Sequence, residues 1–125
     1  MATASTPPAT AFVPLEDVPQ LDILIAQSHD RPVLIFKHST TCGTSFQAYD
    51  ELDEYVRRPG SLPVYLVDVH GARQVAREIA ARFGIRHESP QVLVLAGGQV
   101  RWHASHYRVS LDEVDRAVAS LPLPQ

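Results

Sequence analysis

Three apolar runs set the rhythm of the chain: Val33 to Phe36, Val64 to Val67 and Val92 to Leu95 place apolar side chains in succession without polar alternation. Such runs predict strands buried on both faces, as in a parallel sheet. Between the first two, Phe46, Tyr49, Leu52 and Val56 recur at three- and four-residue steps among Asp50, Glu51, Asp53 and Glu54. This spacing predicts an amphipathic helix over Cys42 to Arg58. Between the second and third, Ala72, Val75, Ala76, Ile79, Ala80 and Phe83 form a further stripe, closed by Gly84 as a left-handed stop.

The flanks follow the same logic. Leu15 to Ser28 predicts a helix with Asp17 as cap, Pro19 in the first turn, and Val18, Leu21 and Ile25 at helical spacing. Gly97-Gly98 predicts a two-residue hairpin turn into a fourth strand, Gln99 to Ala104. Ser110 with Glu113 reads as a capping box, Val109 with Val114 as a hydrophobic staple, and Pro122 as the stop of the last helix. The order is a βαβ unit, a connecting helix and a ββα unit. Connection rules make this an α/β chain with a thioredoxin-like fold, a central mixed four-stranded sheet flanked by helices. With 125 residues and 45% hydrophobic content there is room for one core. The expected division is a flexible N-terminal tail over residues 1–14 and one thioredoxin-like domain over residues 15–125.

Charge narrows the partners. A net charge of −3 without a Lys/Arg run predicts no nucleic acid and no anionic membrane as partner, since both are bound through clustered positive charge. No apolar stretch approaches the roughly 20 residues that span a bilayer. Residues 1–10 lack the basic start and apolar stretch of a secretory signal, so the expected location is the cytoplasm. One cysteine, Cys42, cannot close an internal disulfide, so any redox chemistry must be intermolecular.

Cys42 follows a predicted strand and opens a predicted helix, where unpaired backbone N–H groups and the helix dipole favour a thiolate. Its flanks, Ser39, Thr40, Thr41, Gly43, Thr44 and Ser45, are polar or small and poorly suited to burying an inert thiol. Lys37 and His38 could add positive charge, but strand alternation sends them to opposite faces. Pro90 immediately precedes the strand Val92 to Leu95, and in this fold that position carries a cis proline facing the cysteine, with the Ser89 backbone left free for an incoming chain. Arg101, His103, His106 and Arg108 surround the last strand, either as contacts for an anionic ligand or as a charged edge that resists aggregation. His103 and His106 do not predict a metal site, because residues three apart on a strand face opposite sides and no further Cys or His completes a ligand set. Trp102 is expected to pack at the sheet edge.

Three segments together carry a resemblance: Phe36-Lys37-His38-Ser39-Thr40-Thr41-Cys42, His87-Glu88-Ser89-Pro90-Gln91 and Trp102-His103-Ala104-Ser105-His106-Tyr107. From Leu15 onward the chain resembles the bacillithiol system proteins of the YtxJ type, the monothiol bacilliredoxins. That family usually has Thr-Cys-Pro-Ile-Ser where this sequence has Thr41-Cys42-Gly43-Thr44-Ser45. The Cys-Gly-x-Ser form is also similar to monothiol glutaredoxins that carry iron–sulfur clusters. The resemblance implies a monothiol thiol–disulfide oxidoreductase that removes bacillithiol from S-bacillithiolated client proteins through a Cys42 mixed disulfide. It implies bacillithiol as thiol co-substrate and no tightly bound cofactor. Lys37, His38, Thr41, Gly43, Ser45, Ser89 and Pro90 are the expected supporting or thiol-binding residues. The alternatives are an iron–sulfur cluster carrier and a redox-silent binding module on the same fold.

Overall fold

The computed structural model describes residues 11–122. In chain order these form β1 (Val13–Pro14), α1 (Val18–Gln27), β2 (Val33–His38), α2 (Gly43–Val56), β3 (Val64–Asp68), α3 (Arg73–Phe83), β4 (Gln91–Ala96), β5 (Gln99–Ser105), a 3-10 turn (His106–Arg108) and α4 (Leu111–Ala119). The sheet order is β1-β3-β2-β4-β5. β2 runs parallel to β3 and antiparallel to β4, which makes the sheet mixed as expected.

The strand count differs from the expected four. The added strand, β1, lies parallel to β3 through Val13–Tyr65 and Pro14–Leu66. Two residues are too few to show a period, and Pro14 reads as tail although proline is tolerated on an edge strand. Leu15 N–H extends the pairing to the Leu66 carbonyl at 2.9 Å. Phe12 is buried, edge-on to the rings of Phe36 and Tyr49. The expected tail through residue 14 is therefore corrected: Phe12 to Pro14 belong to the packed domain, and residues 1–10 lie outside those described.

Both faces of the sheet are covered, which explains the unbroken apolar runs. On one face Leu34, Phe36, Val64, Val92 and Val94 pack with Ala48, Leu52 and Tyr55 of α2 and Val114 of α4. On the other, Val33, Ile35, Val67, Leu93 and Leu95 pack with Leu21 and Leu24 of α1 and Val75, Ala76 and Ile79 of α3. Trp102 packs, half-buried, on the first of these cores from edge strand β5. Asp17 Oδ1 accepts the Gln20 N–H at 2.8 Å and Ser110 Oγ accepts the Glu113 N–H at 3.3 Å, so both expected caps form. The Glu113 carboxylate turns to Arg116 and Arg108 instead of closing the box. The hairpin glycines Gly97 and Gly98 take φ of 62° and 77°, as that turn demands.

Among the described residues no helix is long and apolar enough to cross a membrane. The register pairs Lys37 with Gln91, so the end of β2 and the start of β4 meet at one edge of the sheet. The loops that leave this edge form the site.

Candidate active site

β2 runs two residues past its apolar stretch, through Lys37 and His38, and both are buried. The chain then turns, with the Cys42 N–H at 3.5 Å from the Ser39 carbonyl. Cys42 is extended, at φ −115° and ψ 123°, and stands as the N-cap residue of α2. Its carbonyl accepts the Ser45 and Phe46 N–H groups at 3.0 and 3.3 Å, which starts the helix. Its thiol is partly exposed. The thiol is held below its ordinary value, first by the Ser45 N–H, with further help from the Thr44 N–H and both hydroxyls, while desolvation opposes them. Charge on the sulfur is thus favoured by donors at the open end of the helix.

A net of hydroxyls holds the turn. Ser45 is fully buried, and its Oγ accepts the Ser39 N–H at 3.2 Å. Ser39 Oγ accepts the Thr41 N–H at 3.3 Å and lies 3.2 Å from Thr41 Oγ1. His70 Nε2 reaches both oxygens, at 3.0 Å from Ser39 and 3.2 Å from Thr41. The His70 N–H in turn donates to Asp68 Oδ1 at 3.0 Å. Gly43 has open space around the position of a Cβ and does not take a positive φ.

Lys37 and His38 diverge as alternation requires. His38 sits among Phe36, Phe46 and Tyr49, with ring centroids 5.7, 5.9 and 5.0 Å away. Burial lowers its pKa, opposed by the Asp68 charge and the Ser45 main chain, and its Nδ1 has no partner among the described residues. Lys37 points the other way and places Nζ 3.2 Å from His87 Nδ1. Desolvation lowers the Lys37 pKa to about 8, against the pull of Glu88. His87 is also lowered, first by burial and then by the neighbouring Lys37 charge.

The Ser89–Pro90 peptide bond is cis. Polar contacts fix the residues around it. His106, at φ 58°, donates its N–H to the Pro90 carbonyl at 2.8 Å, and its Nε2 lies 2.8 Å from Glu88 Oε1. This bond to His106 is the main cause of the lowered Glu88 pKa. Gln91 Nε2 donates to the Arg86 carbonyl and to Ser105 Oγ at 3.0 and 3.2 Å. Ser89 itself makes no hydrogen bond among the described residues.

The structure thus gathers Cys42, Thr41, Gly43 and Ser45 around the start of α2, and gathers Ser89 and Pro90 in the loop that enters β4 at the same edge of the sheet, where Lys37 reaches His87. His38 lies under α2 in an aromatic setting. Asp68, His70 and Glu88 were missed as site residues, because their contacts join loops far apart in sequence, and His106 was read only as a cationic group beside the last strand. Of the missed residues only Glu88 carried a signal, its presence in the His87-Glu88-Ser89-Pro90-Gln91 segment. Among the described residues, no three His, Cys, Asp or Glu side chains gather as a metal site. A groove of about 700 Å³ between Ile25, Phe83 and Val100 lies on the α1 and α3 face and does not include Cys42. A smaller cleft of about 120 Å³ begins at Thr44 and runs between α2 and the 3-10 turn.

A thiol at a helix start and a cis proline at the start of the neighbouring antiparallel strand, both at one edge of a mixed sheet, define a thiol–disulfide oxidoreductase of the thioredoxin class. A solved structure described as having a thioredoxin fold is 26% identical, with a TM-score of 0.78 over 86% of this chain and 94% of that one. Thioredoxin from Malassezia sympodialis is 20% identical, with a TM-score of 0.68 over 91% of this chain and 93% of that one. Mitochondrial thioredoxin 3 from Saccharomyces cerevisiae is 15% identical, with a TM-score of 0.71 over 88% and 95%. The last two likenesses speak for the fold alone. The family model of the monothiol bacilliredoxin BrxC matches residues 13–114, and the chain belongs to that family.

Proposed function

We propose that this protein removes bacillithiol from S-bacillithiolated proteins by way of a Cys42 mixed disulfide. The observation that carries the reading is the start of α2, where a partly exposed thiol with a lowered pKa has buried Ser45 three residues on, the place of a resolving thiol. The Cys42 thiolate attacks the bacillithiol sulfur of the client disulfide. A new S–S bond joins Cys42 to bacillithiol as the old one breaks, and the client leaves as a thiolate that takes a proton from water. The Ser89 backbone offers free groups to the client chain beside the cis proline. Thr41 and Ser45 hold the geometry of the nucleophile, and no tightly bound cofactor takes part.

With one cysteine in the chain, release needs a second thiol. Free bacillithiol attacks as thiolate and leaves as bacillithiol disulfide, and Cys42 returns as thiolate. Electrons are conserved in both steps, since each exchanges one thiolate for another. Intact-mass spectrometry tests the cycle. A bacillithiolated client should lose its adduct as this protein gains one bacillithiol per chain, and the adduct should persist until bacillithiol is added. Cys42→Ser should abolish transfer. Transfer that survives in Cys42→Ser, or equal rates with a glutathionylated client, would remove the mechanism or the bacillithiol assignment respectively.

A further inference from the structure

We infer that the cleft between α2 and the 3-10 turn is the subsite for the hydroxylated sugar portion of a low-molecular-weight thiol disulfide-bonded to Cys42. The inference rests on the reading that such a thiol is the co-substrate. Position is the first argument. Thr44 lines the cleft, and its N–H and hydroxyl act on the Cys42 sulfur. His106 lines the opposite wall, and it also clasps Glu88 and the Pro90 carbonyl at 2.8 Å each. A small molecule joined to Cys42 and lying against the cis-proline loop therefore has this cleft beside it.

Chemistry is the second argument. The remaining polar wall is made by Gln47, Glu51 and Ser110, and the Tyr107 ring stands at the rim, 81% exposed. Hydroxyl, amide and carboxylate groups together supply both donors and acceptors, which is what a set of sugar hydroxyls requires. An anionic group fits poorly: no Lys or Arg lines the cleft, and the wall contains the Glu51 carboxylate, whose Oε1 accepts the Leu111 N–H at 2.8 Å. The carboxylates of the same ligand are thereby directed elsewhere. The exposed tyrosine adds a flat apolar face with a polar tip. At about 120 Å³ the cleft has the space of roughly four waters, enough for one edge of a ring and its hydroxyls.

The test measures second-order rates of Cys42 mixed-disulfide formation with three disulfides: oxidised bacillithiol, oxidised glutathione and cystine. Only the first carries a sugar; glutathione carries carboxylates without one. Wild type should prefer bacillithiol disulfide over both. Gln47→Ala and Tyr107→Ala should each lower that preference by about 2- to 10-fold, the range that one lost hydrogen bond implies. Because all three disulfides meet the same sulfur, the ratio cancels any change in folding or thiolate reactivity. Two results would overturn the subsite. If wild type prefers bacillithiol disulfide and both variants keep the ratio, the cleft is wrong and the bacillithiol reading stands. If wild type shows no preference, both fail together.

Discussion

The two loops that meet at the site are held by different chemistry. The nucleophile loop, residues 39–45, is tied mainly by hydroxyls and main-chain groups, Ser45 to Ser39 and Ser39 to Thr41, with one imidazole, that of His70, against both Ser39 and Thr41. The cis-proline loop, residues 86–91, is tied by titratable side chains: Lys37 to His87 and Glu88 to His106. β2 supplies one residue to each side, His38 against Phe46 and Tyr49 of α2 and Lys37 against His87 of the cis-proline loop. One edge of the sheet thus carries two kinds of tie. The donors on the sulfur itself, the N–H and hydroxyl groups of Thr44 and Ser45, keep their state as pH changes, whereas the Lys37–His87 and Glu88–His106 contacts of the other loop respond to it.

The largest test of that contrast is Lys37→Met. A lysine lowered from 10.5 to about 8 binds its proton less readily folded than unfolded. Between pH 8 and 10.5 the unfolded chain therefore holds more protons, and this group makes stability rise with pH. Below pH 8 both states are charged and the full desolvation cost is present. The shift corresponds to about 3 kcal/mol, reduced to about 2 where solvent screens the loop. Lys37→Met should remove that cost, raising stability at pH 7 and flattening the difference between pH 8 and 10.5, less whatever the lost His87 contact contributed. Urea titrations of both proteins from pH 6.5 to 10.5 measure it. An unchanged pH slope would mean that Lys37 is not the responsive group.

The second test breaks the neutral side. Ser45→Ala leaves the Ser39 N–H without its acceptor in a buried setting, which costs about 1–3 kcal/mol. The same change removes one hydroxyl from the sulfur. The alkylation midpoint of Cys42 should rise yet stay below the ordinary thiol value, because the Ser45 N–H, the foremost cause of the lowered pKa, belongs to the backbone and remains. A midpoint at the ordinary value would assign the effect to the hydroxyl instead.

These contrasts show what a linear sequence makes visible. The three unbroken runs at 33–36, 64–67 and 92–95 revealed the sheet because a strand covered on both faces needs apolar residues at every position. Cys42 and Pro90 could be placed because strand ends and helix starts are local. β1 was hidden because its two residues acquire meaning only from pairing with Tyr65 and Leu66. β2 was read two residues short because Lys37 and His38 are polar, and their burial depends on His87 and on the rings of Phe46 and Tyr49. His70 lies 31 residues from Ser39 and His106 lies 18 from Glu88, so no local pattern marks either pair.

The smallest expected effect comes from Gly43→Pro, which sharpens the contrast by stiffening the neutral side. Gly43 opens α2 at the first helical position, where the N–H has no helical acceptor and proline is favoured. Cys42 is already extended, at φ −115° and ψ 123°, the conformation required of a residue before proline. The site of a Cβ is open, with nothing within 4 Å, and Gly43 does not use a positive φ. Nothing in the folded state therefore resists the ring, while the unfolded chain loses freedom. The gain should be about 0.4–1 kcal/mol, read as a raised midpoint in urea. The donors that act on the sulfur belong to Thr44 and Ser45, so the Cys42 alkylation midpoint should hold. A loss of stability, or a shifted midpoint, would show that the nucleophile loop depends on freedom at residue 43 and not on its hydroxyl net alone.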